Sequence, residues 1–214
     1  LKSRGSMLMP RQNRVRPTGE LVAVSARGLY WGNRGPLLNK TSELARYSSG
    51  RNWIICMLEF RGRHRTQWRP GHLTELYFLD EATGLAAGHR PCGECRHHDY
   101  QAFKKSWQVA HPAAASDAKS IDIRLHADRL VARGVQRTYH APLAELPSGT
   151  MITIDSRPHL ITEAGLMEWS FDGYQASTVQ PVAGPVEVIT PRVTVAVLAA
   201  GYAPAVHSSA GVLS

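Results

Sequence analysis

Cys92 and Cys95 are separated by two residues, Gly93 and Glu94. That spacing lets both sulfurs reach one metal ion from a tight turn, at Zn–S distances of about 2.3 Å. Gly93 relieves the turn, and a helix beginning just after it favours thiolates. Tetrahedral zinc takes four ligands, so the pair is half a site. Cys56, the one other cysteine of the 214 residues, leads for another place. The fourth lies among His64, His89 and His126, with His97 and His98 as further competitors. The plain alternative for Cys56 is a small core residue between Ile55 and Met57. For each histidine it is an ordinary surface or core side chain. A redox role for the pair would need a thioredoxin-like βαβ context, which does not surround it.

A second chemistry uses the same ion. Three protein ligands and an open position activate water. Zinc deaminases join His-x-Glu to a later Pro-Cys-x-x-Cys. In this chain Pro91-Cys92-Gly93-Glu94-Cys95 comes first and His126-Ala127-Asp128 follows. In that reading Cys92, Cys95 and His126 hold zinc and Asp128 moves protons. The alternative for His126 is a helix-face residue paired with Asp122. No Gly-x-Ser-x-Gly, Walker loop or Gly-x-Gly-x-x-Gly is present to support nucleophilic or nucleotide-loop chemistry.

The charge is uneven. Residues 1–70 carry 14 Lys/Arg against 3 Asp/Glu, a balance of +11. Residues 71–140 come to +1 and residues 141–214 to −4. Arginine dominates the basic third, and arginine suits bidentate contacts to phosphate or guanine. Arg11, Arg14, Arg16, Arg27, Arg34, Arg61, Arg63 and Arg65 are therefore candidate nucleic-acid contacts, with DNA favoured over RNA and a nucleotide as the smaller version of the same partner. An acidic protein bound by an arginine-rich scaffold is the other partner class. The bland reading is a solvated basic surface. No run of 18 apolar residues appears, which argues against a membrane span. The odd cysteine count and the lack of an apolar leader point to a reducing, cytoplasmic setting.

Several elements must position these groups. Residues 1–20 read as a flexible basic arm. Strands are expected over 21–24, 53–60 and 75–79, with 64–68 returning as hairpin partner to the second. Asp80 can cap a helix over 81–87 and Gly88 can end it. After the Cys-x-x-Cys turn a second helix carries Tyr100, Phe103 and Trp107 on one stripe. Asp117 can cap a third helix reaching about residue 133, with Asp122, His126, Arg129 and Arg133 on one face. A hairpin is expected around 156–158. A strand over 186–189 and a helix capped by Thr190, with Pro191 first, close the chain.

The segment 77–95, YFLDEATGLAAGHRPCGEC, resembles the metal-binding domain of the Ada DNA-repair proteins. There a strand and an alanine-rich helix precede an Ala-Ala-Gly-aromatic-Arg-Pro-Cys-x-x-Cys knuckle. The resemblance implies zinc at Cys92 and Cys95 and contact with DNA. In that family an upstream Cys-x-x-x-Cys hairpin supplies two further thiolates, one of which accepts a methyl group from DNA phosphotriesters. The corresponding stretch here, Arg61-Gly62-Arg63-His64-Arg65, has no cysteine, so methyl-acceptor chemistry is not implied.

The expectation is an α+β protein. A small antiparallel sheet and a helix–zinc knuckle–helix module (about 74–108) share a basic segment, 21–135. A β-rich segment, 136–214, follows and is closed by a helix. The functional expectation is a zinc-binding, nucleic-acid-interacting protein of DNA repair or regulation. A zinc-dependent hydrolase or deaminase acting on a nucleobase or nucleotide is the rival. The sequence leaves the oligomeric state open.

Overall fold

The computed structural model describes residues 9–62, 67–132, 134–179 and 184–211. Its first layer is a six-stranded sheet made of β1 (Gln12–Val15), β2 (Leu21–Ala23), β3 (Tyr30–Asn33), β4 (Ile54–Met57), β5 (Leu76–Phe78) and β6 (Arg90–Pro91), in the spatial order β2-β1-β5-β3-β4-β6. The sheet is mixed, not antiparallel as expected: β1 runs parallel to β5 and β4 parallel to β6. Two sequence expectations change here. From Gln12 to Val15 the basic arm is a strand, because Val15 is sealed in the core and Gln12 Nε2 donates to the Leu21 carbonyl at 2.9 Å. The partner of β4 is β3, on its N-terminal side; of the expected return over 64–68, residues 64–66 lie outside the described residues.

Alternation decides which face is which. Val15, Ile55, Leu76 and Phe78 point to one side and join a core with Phe103 and Trp107 of helix α2 (His97–Ala110), Ile121 and Leu125 of α3 (Ala118–Arg129), and Val193 and Val197 of α4 (Arg192–Ala199). Phe103 and Trp107 are fully buried; burying side chains of this size contributes roughly 1.5–3 kcal/mol each. The opposite face of β3, β4 and β5 carries Trp31, Cys56 and Tyr77. These are direct cross-strand neighbours, since Trp31 pairs with both Cys56 and Tyr77.

The short α1 (Glu81–Ala86) starts as anticipated, with Asp80 Oδ1 accepting from the Thr83 amide at 2.9 Å. Gly88 follows at φ +81°, a left-handed turn in which a Cβ would strike Arg129 at 2.6 Å. α3 ends at Arg129, sooner than expected. Leu130 turns extended and begins β7 (Leu130–Ala132), which pairs with β8 (Val135–Gln136).

The C-terminal segment forms a second sheet of six antiparallel strands: β9 (Tyr139–Pro142), β10 (Met151–Ile154), β11 (Arg157–Thr162), β12 (Gly165–Ser170), β13 (Gly173–Ala176) and β14 (Pro185–Val188). Thr190 does not cap α4. Its hydroxyl accepts from the Met151 amide at 2.9 Å, and Asp128 Oδ2 takes the Val193 amide at 3.0 Å instead. A clasp joins the two parts of the chain at the start of α1. Asp80 Oδ2 accepts from the Tyr174 hydroxyl and the His207 amide, while Glu81 accepts from the Tyr202 hydroxyl and the Ala205 amide. No helix among the described residues is long and apolar enough to cross a membrane.

Candidate metal centre and the cavity beside it

The sulfurs of Cys56, Cys92 and Cys95 lie within 4.8 Å of one another. Two thiolates on one tetrahedral ion with bonds of about 2.3 Å sit about 3.8 Å apart, so this triangle has the size a single ion needs. The parallel register of β4 and β6 creates it. Ile54 faces Arg90 and Ile55 faces Pro91, and the Cys92 amide donates to the Ile55 carbonyl at 2.9 Å. Cys92 is thereby carried to the end of β4, beside Cys56. The turn then brings Cys95 back, and the Glu94 amide donates to Cys92 Sγ at 3.4 Å.

Two buried ion pairs hold the turn from both ends. Arg90, just before it, forms a fork with Asp122 of α3, with both bonds at 2.8 Å. Arg96, just after it, binds Glu81 at 2.8 Å and Asp99 at 2.8 Å. Both arginine side chains also lie over rings, Arg90 over Tyr100 and Arg96 over Tyr30.

The thiols share their protons unevenly. Cys92 receives hydrogen bonds from Cys56 and Cys95, which pull it down to about 2. Cys56, donating to Cys92 and to Cys95 inside a buried strand, is held far above the ordinary thiol range. Cys95 is also raised: the bond from Cys56 works downward, but donating to Cys92 and burial outweigh it. The triangle therefore holds one thiolate readily, and a dication taking the place of the remaining protons would be held by three sulfurs.

Beside the sulfurs lies a cavity of about 730 Å³. Its walls combine Trp31 and Tyr77 from the sheet face, Phe60 and Arg61 from the loop after β4, and the carboxylate-bearing Glu75 and Glu94. Asn33 also lines it. Of these, Trp31, Asn33, Glu75 and Tyr77 come together through the register of β5, β3 and β4.

The other sequence candidates fall elsewhere. His89 is fully buried between Trp53 and Phe78, with ring centroids 5.2 and 4.7 Å away. Its Nε2 accepts from Arg34 Nε at 3.3 Å. Burial, then the charges of Arg34 and Arg129, hold it well below the ordinary histidine range, so it is a neutral core group. His126 Nδ1 meets Arg129 Nη2 at 2.9 Å, and its pairing with Asp122 does not form because Asp122 is taken by Arg90. Among the described residues neither histidine joins the sulfur group, so the trio of the deaminase reading, Cys92, Cys95 and His126, does not form, while Cys56, the leading candidate, does join Cys92 and Cys95. Asp128 caps α4, as described above. His64 lies outside the described residues, as do Arg63 and Arg65.

The basic residues divide. Arg34 is 0% exposed; its guanidinium lies against Tyr47 and Trp53 and donates to the Gly19 carbonyl at 2.9 Å, so it is internal. Arg14 is half-buried over Tyr77, and Arg16 pairs with Glu20 at 3.3 Å. Arg11 is exposed and lies over Trp68, Arg61 is exposed and lies over Phe60, and Arg27 is exposed.

No protein-family model matches this chain, and neither a curated protein nor a solved structure matches it.

Proposed function

We propose that the chain is a zinc-centred protein that binds nucleic acid, DNA before RNA, through the end of the first sheet where the cysteines lie. The observation that carries the reading is the triangle of Cys56, Cys92 and Cys95 opening beside an aromatic cavity. Three thiolates suit a soft or borderline ion, and zinc is the common redox-inert choice. Exposed guanidinium groups over partly buried rings, Arg61 on Phe60 and Arg11 on Trp68, are the kind of pairing used for single strands. The Ada-like pattern over 77–95 belongs to the same proposal, and through it a role in DNA repair or regulation. The test is titration of the zinc-loaded chain with duplex DNA, single-stranded DNA and RNA across a salt series. Affinity that falls steeply with salt supports the reading; no binding to any of the three at low salt ends it.

The cavity also favours a second reading, a zinc-dependent hydrolase or deaminase acting on a nucleobase or nucleotide. Glu75 stands in the same cavity as the sulfurs, and zinc deaminases use a glutamate that is not a ligand to carry protons. In this form the carboxylate is Glu75 in place of Asp128. X-ray absorption on the zinc protein separates the two: three sulfurs and one oxygen favour the enzyme, and four protein ligands favour a binding module.

A further inference from the structure

The cavity floor is ordered by strand register. Tyr77, Trp31 and Cys56 make one row across β5, β3 and β4. Two residues along each strand, Glu75 falls in line with Asn33, which pairs with Ile54, and all three line the cavity. Asn33 is 4% exposed. Its Oδ1 accepts from the Gly35 amide at 3.2 Å, while its side-chain nitrogen is buried with no hydrogen-bond partner. A buried donor of this kind is costly unless something accepts from it. Next to it, the Glu75 carboxylate is held by the Trp68 amide, which donates to Oε2 at 3.0 Å.

We infer that the cavity takes a single unstacked nucleobase, with its ring against Trp31, a ring or carbonyl acceptor on the Asn33 amide nitrogen and an exocyclic or ring N–H on Glu75. The inference deepens the nucleic-acid reading and rests on it. The volume of about 730 Å³ is within the usual range for a small-molecule site. A purely apolar ligand would leave the Asn33 amide nitrogen unanswered. A phosphate would meet the carboxylates of Glu59, Glu75 and Glu94. Arg61 is the sole guanidinium among the described lining residues, and it is exposed at the rim. The base therefore enters the cavity and the phosphate stays outside with Arg61. A flat heterocycle with a donor beside an acceptor fits every wall, and each nucleobase offers such an edge.

The experiment compares a single-stranded oligonucleotide with the same backbone made abasic at its central positions, on the zinc-loaded full chain. Free nucleosides are added as competitors. The expected result is about tenfold tighter binding of the base-bearing strand, of the order stacking on one aromatic ring supplies. That preference drops to near parity in Trp31→Leu and in Asn33→Asp, which keeps the acceptor for Gly35 and removes the unpartnered donor. Both variants retain one zinc per chain, which shows that the fold survives. Equal binding of the two strands by the wild type overturns the inference while leaving the nucleic-acid reading in place, and so does an unchanged preference in both variants. Binding of nucleosides with no binding of any strand keeps the base site and removes the nucleic-acid reading.

Discussion

Arg90 and Asp122 meet in a two-bond fork, Nε and Nη2 each 2.8 Å from a carboxylate oxygen, with both side chains nearly sealed from solvent. The pair ties the strand that delivers Cys92 to the third helix. Removing one member of a buried pair leaves the other charged and unanswered. Asp122→Ala is therefore expected to lower unfolding free energy by about 3–5 kcal/mol, read by urea denaturation. Zinc affinity should weaken with it, because Arg90 then loses its anchor.

Metal content tests the sulfur triangle directly. The purified wild type is expected to hold one zinc per chain, and Cys56→Ser, Cys92→Ser and Cys95→Ser to hold almost none. Stripping the ion with a chelator should lower stability by about 4 kcal/mol relative to free zinc at a thousand times its dissociation constant. A wild type that binds no zinc, or a Cys56→Ser variant that binds it as well as wild type, would remove Cys56 from the site.

His89 predicts the acid side of the stability profile. Its folded value lies well below the 6.5 of a free histidine, chiefly through burial. Below that pH the unfolded chain takes up a proton that the folded chain refuses, so stability falls as pH falls and is recovered above it. The limiting slope is about 1.4 kcal/mol per pH unit. His126 shifts the same way, but it is only partly buried and adds less. Metal-free protein should be used, so that proton competition at the thiols does not contribute. His89→Gln is expected to flatten the profile between pH 6.5 and 5, whatever its stability at pH 7.

Asp128 separates capping from proton transfer. Its carboxylate accepts from the Val193 amide at 3.0 Å, at the start of α4. Asp128→Ala should cost about 0.5–2 kcal/mol, as loss of a helix cap does, and leave zinc content unchanged. Loss of the metal without loss of stability would point back to a role at the ion.

The turn at Cys92–Cys95 and its two flanking helices were legible because their signals are local: Asp80 three residues before the Thr83 amide, Gly88 at a left-handed stop, an apolar stripe through Tyr100, Phe103 and Trp107. Cys56 was legible by elimination, as the remaining thiol. The cavity was not. Trp31, Asn33, Glu75 and Cys56 become neighbours through antiparallel register between segments more than twenty residues apart, and nothing in their spacing encodes it. Histidine type misled for a physical reason. In His89-Arg90-Pro91 the imidazole is drawn inward by Trp53 and Phe78 and matched to a buried guanidinium, and a core histidine reads in sequence like a ligand. The basic third misled similarly at Arg34, whose cation is spent on Tyr47, Trp53 and His89. The cap of α4 came from Asp128, 64 residues before the helix it serves, where no local rule looks.

The clasp on α1 has a consequence in time. Cys56, Cys92 and Cys95 are all synthesised before residues 174–207. Yet Glu81, which anchors Arg96 at the end of the cysteine turn, shares its carboxylate with Tyr202 and Ala205, and its neighbour Asp80 waits for Tyr174 and His207. The partners that brace the cysteine turn are thus synthesised about 80 to 110 residues after Cys95. Ion capture and the arrival of residues 174–207 become linked events, and a chain stopped before them would present loose, reactive sulfurs.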